Sequence, residues 1–199
     1  MSAEAENVDG GRRHFLLMAT TAVGAVGAVA TAVPFLASWR PSARAKAMGG
    51  PVEADISKLA AGELMKVEWR GQAIFIVRRT EEMLAKLASG KDKLRDPDSA
   101  ESEQPAFAKN EARALKPEYL VLVGVCTHLG CAPLNKFEPG DATVAADWPG
   151  GFYCSCHGSK FDFSGRVFKD VPAPLNLAVP PYSFGANGTL IIGAETGAA

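Results

Sequence analysis

Histidine and cysteine are scarce in this chain of 199 residues. There are three His (His14, His128, His157) and four Cys (Cys126, Cys131, Cys154, Cys156). Net charge is nearly missing too, with 21 Lys+Arg against 22 Asp+Glu and a formal charge of -1. No broad basic field is left to hold phosphates, which argues against nucleic acid as a partner. Two absences are local. Phe15–Leu36 carries no charged residue at all, and the stretch 91–118 has only Leu94, Phe107 and Leu115 as larger apolar anchors. Hydrophobic residues still make up 47% of the chain, enough to bury a core, so disorder of the whole is excluded. The length suits one domain, or one domain with an appendage.

The uncharged run FLLMATTAVGAVGAVATAVPFL has 22 residues. As a helix it extends about 33 Å, the thickness of a bilayer core. A buried soluble helix is the alternative, and both its length and its lack of polarity stand against it. Gly11-Arg12-Arg13-His14-Phe15-Leu16 precedes the run and resembles a twin-arginine export leader. Basic residues lie on both sides (Arg12 and Arg13 before; Arg40, Arg44 and Lys46 after), so the expected topology rests on the arginine pair. It puts the N-terminus in the cytoplasm and the C-terminal domain in the periplasm. Ala43-Arg44-Ala45 and Ala45-Lys46-Ala47 fit a signal-cleavage pattern, whereas the length of the apolar run favours retention as an anchor. The expected organisation is a leader over 1–14, a transmembrane helix over 15–38, a flexible tether over 39–50 and an exported domain over 51–199.

Beyond the tether the pattern changes to short alternating segments. Glu63–Trp69, the turn Arg70-Gly71 and Gln72–Arg78 read as a β-hairpin. Thr80 is placed to cap a short helix over Glu81–Ala88. With six basic and seven acidic side chains, 91–118 reads as a solvated insertion. A strand is expected over Tyr119–Val125. Further short ones are expected near Phe152-Tyr153, Arg166–Phe168 and Leu177–Val179, and over Thr189–Ile192 after the Asn187-Gly188 turn. The implied class is a mainly β, antiparallel fold whose loops carry the site.

Apart from His14, every Cys and His falls into Cys126-Thr127-His128-Leu129-Gly130-Cys131 or Cys154-Ser155-Cys156-His157-Gly158-Ser159. Two thiolates and two imidazoles could make a structural zinc site. However, each loop offers a mixed Cys/His pair rather than the Cys pair and His pair common in zinc fingers, and six candidate ligands exceed zinc's four. A binuclear iron–sulfur centre in which two His replace two Cys on one iron uses the pattern naturally.

C-T-H-L-G-C followed by C-S-C-H-G-S resembles the Rieske iron–sulfur proteins of quinol–cytochrome c oxidoreductases, the bc1 complexes. The likeness runs through leader, anchor, tether, both loops, the Val171-Pro172-Ala173-Pro174 loop and the Asn176–Tyr182 tail. Rieske ferredoxins and ring-hydroxylating oxygenases generally lack the second cysteine pair. The resemblance implies a small antiparallel β-sandwich with a cluster-binding part at about 119–185 and one [2Fe–2S] cluster. Cys126 and Cys154 would hold the inner iron, and His128 and His157 the outer. Cys131 and Cys156 would form a disulfide, Ser159 would donate its hydroxyl to a cluster sulfur, and Leu129 with Pro172 and Pro174 would cover the cluster.

The implied activity is electron transfer, coupled to proton transfer at His157, from quinol at cytochrome b to cytochrome c1. The implied setting is a dimeric complex of the bacterial inner membrane. The alternative is the Rieske subunit of another periplasmic oxidoreductase. One position departs from the pattern: high-potential members place Tyr two residues after the serine, and this chain has Phe161.

Overall fold

The computed structural model describes residues 9–194, so the start of the leader (1–8) and the final residues 195–199 lie outside the described part. The chain divides into two units, Met1–Ala47 and Met48–Ala199.

The first unit is dominated by α1 (Gly10–Ser38), whose N-terminus is capped by Asp9 accepting from the Gly11 and Arg12 amides. The helix therefore begins before the uncharged run and takes in the arginine pair. By length and composition it can cross a membrane. Its hydroxyls suit that environment: Thr20, Thr21 and Thr31 donate to the Leu16, Leu17 and Gly27 carbonyls one turn back. No side-chain donor in these turns is left to be solvated by lipid. In the segment read as a tether, a short helix α2 (Ala43–Met48) forms, with the Ser42 hydroxyl accepting from the Ala45 amide.

The second unit is mainly β. Its strands are β1 (Val52–Asp55), β2 (Leu64–Trp69), β3 (Gln72–Arg78), β4 (Tyr119–Val123), β5 (Leu134–Lys136), β6 (Gly151–Cys154), β7 (Ser159–Phe161), β8 (Tyr182–Phe184) and β9 (Thr189–Ile192). They form three antiparallel sheets of three strands, ordered β1-β9-β8, β2-β3-β4 and β5-β6-β7. The β2–β3 hairpin turns at Arg70 (φ 53°) and Gly71 (φ 74°), the left-handed pair that matches strand twist. Ile74–Val77 are buried on both faces, because β3 is the central strand of its sheet. The helix α3 (Glu81–Ser89) is capped by Thr80, whose hydroxyl accepts from the Met83 amide.

The three sheets share one core, to which Ile192, Leu190, Trp69, Phe75, Phe152 and Phe161 all contribute. Phe75 stacks on Phe152 with centroids 6.0 Å apart, tying β3 to the sheet that carries the second cysteine loop. Gly124 makes this possible: a Cβ there would lie 2.4 Å from the Phe75 ring.

Three expectations are corrected. Arg166–Phe168 forms no strand of its own, only isolated bridges from Val167 to Phe161 and from Phe168 to Leu94. Leu177–Val179 forms no strand of its own; Ala178 accepts a single bond from the Val123 amide and Val179 donates one to Glu103. The stretch 91–118 is not simply solvated, since Leu94, Asp96, Ser99, Ser102, Ala108, Arg113 and Ala114 are buried. Hydrogen bonds hold it down together with a few apolar contacts, Ala108 and Phe107 among them. Arg113 donates to the Ser164 carbonyl and to Gln104, and Asp96 accepts from the Ala100 and Glu101 amides and the Ser102 hydroxyl.

Candidate metal centre

Two loops extend from the end of the core, one between β4 and β5 and the other between β6 and β7. They are built alike. In the first, the Gly130 amide donates to the Cys126 carbonyl at 3.0 Å; in the second, the Gly158 amide donates to the Cys154 carbonyl at 2.9 Å. Each glycine has positive φ, 84° and 78°, which lets the chain reverse within five residues. The glycine four residues after Cys126 and after Cys154 was the sequence signal for this shared turn.

The loops are joined covalently by the Cys131–Cys156 disulfide. Cys126 and Cys154 remain as free, buried thiols. Sulfurs of Cys131, Cys154 and Cys156 all lie within 4.8 Å of one another, but two of them are spent on each other, so this group is not a three-thiolate site. The His128 and His157 rings meet edge-on with centroids 4.7 Å apart. His157 is exposed at the loop tip, His128 is half-buried, and Leu129 beside them is 71% exposed.

This arrangement fits a binuclear cluster. His128 Nδ1 is buried with no hydrogen-bond partner among the described residues, as expected of an atom reserved for a metal. Burial pushes the Cys126 thiol above its ordinary value, and its neighbour Cys154 acts in the same direction. The His128 amide and the Ser159 hydroxyl act against that shift, both donating toward the Cys126 sulfur. Donors aimed at a buried sulfur are the surroundings that a metal thiolate needs.

The proline-rich loop closes over this end. The Thr127 hydroxyl donates to the Leu175 carbonyl at 2.6 Å, and the Ala173 amide donates to Ser159 Oγ at 3.0 Å. Neither Thr127 nor Ala173 stands out in the sequence, because each contact joins segments far apart in it.

Residues 51–181 match the Rieske [2Fe-2S] domain family. The chain belongs to that family. The cofactor of this Rieske protein is accordingly one [2Fe–2S] cluster. Residues 2–42 match a second family, described as "Ubiquitinol-cytochrome C reductase Fe-S subunit TAT signal". Among curated relatives, the "Ubiquinol-cytochrome c reductase iron-sulfur subunit" of Allochromatium vinosum is 52% identical over 98% of this chain and 94% of its own. The protein of the same name from Blastochloris viridis is 43% identical over 96% and 98%. A solved chain titled "Hyperthermophilic respiratory Complex III" shares 25% identity over 87% of this chain and 97% of its own, at a TM-score of 0.47.

Phe161 shares a strand with Ser159 two residues away, so the two side chains leave the same face, and both are fully buried. A tyrosine there would carry a hydroxyl on that same buried face. One added neutral hydrogen bond contributes about 0.5–1.5 kcal/mol. For a one-electron couple this corresponds to roughly 20–65 mV. Phe161→Tyr is therefore expected to raise the Rieske potential by that amount in protein-film voltammetry. An unchanged or lower potential would remove the argument.

Proposed function

We propose that this chain is the iron–sulfur subunit of a bc1-type quinol–cytochrome c reductase, taking one electron and one proton from quinol at cytochrome b and delivering the electron to cytochrome c1. The observation that carries this reading is the paired loops: two free buried thiols, two imidazoles in edge contact and a separate inter-loop disulfide, in a chain whose N-terminal part matches the reductase-type export signal.

Cys126 and Cys154 would hold the inner iron, and His128 and His157 the outer. When bound, the cluster would supply a one-electron acceptor next to the imidazoles. The orphaned Nδ1 of His128 supports Nδ1 as the metal-side atom, leaving Nε2 to face outward. Exposure favours His157 as the ring that meets quinol, and its Nε2 receives the quinol proton. Exposed Leu129, Pro172 and Pro174 provide an apolar rim suited to the quinol pocket of a membrane subunit.

The helix α1 serves as a retained single-pass anchor in the bacterial inner membrane. The N-terminus is cytoplasmic and the Rieske domain periplasmic, in a complex that is dimeric as in the family. Residues 39–50 join the two units and act as the tether that lets the domain visit both redox partners. A proline run across 43–47 would replace α2 with a stiff extended segment. Turnover is expected to fall several-fold while the EPR spectrum of the cluster stays unchanged. Normal turnover in that variant would retire the tether role.

Purification from membranes in mild detergent tests the whole reading. Iron and acid-labile sulfide should be present at two each per chain, with b- and c-type haem accompanying them. A preparation with the cluster but without haem would favour a different periplasmic oxidoreductase. One without iron would overturn the reading.

A further inference from the structure

The buried polar stretch 91–118 meets the proline-rich loop at one residue. Asn176, on the far side of that loop, is buried, with its amide and both side-chain polar atoms engaged. Its amide donates to Ser102 Oγ at 3.0 Å, and its Nδ2 donates to the Asp96 carbonyl and to Ser99 Oγ at 2.9 Å each. Its Oδ1 accepts from the Val167 amide at 2.8 Å. Ser102 in turn donates to Asp96 Oδ2 at 2.7 Å, so its hydroxyl is directed on both sides. Arg95 adds a bond to the Ala173 carbonyl at 3.2 Å. Three residues before Asn176, the Ala173 amide donates to Ser159 Oγ, occupying a lone pair; Ser159 is buried opposite Cys154 across the β6–β7 pair, so its proton is left free on the cysteine side.

We propose that 91–118 is a positioning element for the metal centre: Asp96, Ser99 and Ser102 hold Asn176, Asn176 holds the proline-rich loop, and the loop aims the Ser159 hydroxyl at the cluster side. This rests on the ligand reading given above. The physical reason is direct. Reduction adds negative charge at the sulfurs, so a donor held in line favours the reduced form and a wandering one does so less. The side chains of Asp96, Ser99 and Ser102 hydrogen-bond to one another, to neighbouring backbone and to Asn176 rather than to the proposed ligands, so their influence has to pass through the loop.

The test uses the full-length, cluster-loaded protein in detergent. Ser102→Ala removes both the acceptor for the Asn176 amide and the donor to Asp96. At a fixed ambient potential, the ratio of reduced to oxidised cluster is expected to fall about two- to tenfold, the range of one neutral hydrogen bond. Iron content should stay at the wild-type level. Ser99→Ala removes one acceptor only and should produce a smaller fall in the same direction; it carries the test alone if Ser102→Ala does not retain its cluster. In a Ser159→Ala background, either substitution is expected to change nothing further, because the hydroxyl through which it acts is gone. An unchanged ratio in the single variants, or an equal fall in the Ser159→Ala background, overturns the proposal. Either result leaves the ligand reading intact, since that reading depends on the iron and sulfide of the wild-type protein.

Discussion

The double variant Cys131→Ser/Cys156→Ser is expected to lose about 3 kcal/mol of stability and to release its iron on standing. The bridged residues are 25 apart in sequence, and closing a loop of that length removes about 3 kcal/mol of chain entropy from the unfolded state. For a domain of this size, that lowers Tm by about 6–12 °C. Local architecture adds to the effect. Leu129, Ser155, Cys156 and His157 are exposed, so little apolar burial holds the loop tips. The remaining ties are the two glycine turns, the Thr127–Leu175 bond and the bond from the Cys126 amide to the Cys131 carbonyl. Replacing both cysteines avoids a stray thiol competing for metal. Thermal melts in detergent, with iron and sulfide followed over hours, check this. A Tm and iron content equal to wild type would mean that the sheets alone position the loops.

The candidate donor set was legible because scarcity made it so: with His14 assigned to the leader, every Cys and His lay in one of two six-residue runs. The β2–β3 hairpin was legible for a local reason, alternation on either side of Arg70-Gly71, and the structure pairs Trp69 with Gln72 across that turn. The stretch 91–118 was not. Its composition is that of a solvated loop, and what buries Asp96, Ser99 and Ser102 is Asn176, some eighty positions away, together with the turn around Ser164 that binds Arg113. A polar residue becomes a core residue only when its partners arrive, and charge counting carries no information about distant partners. The strands β5, β7 and β8 escaped for a related reason. Each has three residues, too few for a period to register.

Asp162→Ala is expected to be the most damaging substitution outside the two cysteine loops. Asp162 Oδ2 accepts from Arg166 Nε at 2.7 Å, and the Arg166 side chain is 1% exposed. Asp162 Oδ1 also accepts from the Ser164 and Arg166 amides at 2.8 Å, so one carboxylate shapes the turn that follows β7. Arg79 and Arg113 converge on the same turn, donating to Ser164 Oγ and to its carbonyl. Burial lowers each guanidinium to about 10, and in both cases Asp162 is the leading charge acting against that shift. Removing it leaves the buried Arg79, Arg113 and Arg166 without the leading anion beside them and strands two backbone donors.

Breaking one partner of a buried pair costs about 3–5 kcal/mol. For this domain the expected fall in Tm is about 6–20 °C. Because β7 carries Ser159 into the metal centre, cluster loss should accompany unfolding rather than precede it. Adding Arg166→Met to Asp162→Ala is expected to recover part of the loss, since an apolar side chain of similar length removes the unpaired charge. If the single variant melted within about 2 °C of wild type, water would have to reach the guanidiniums beneath the turn, and their burial could not be what holds it.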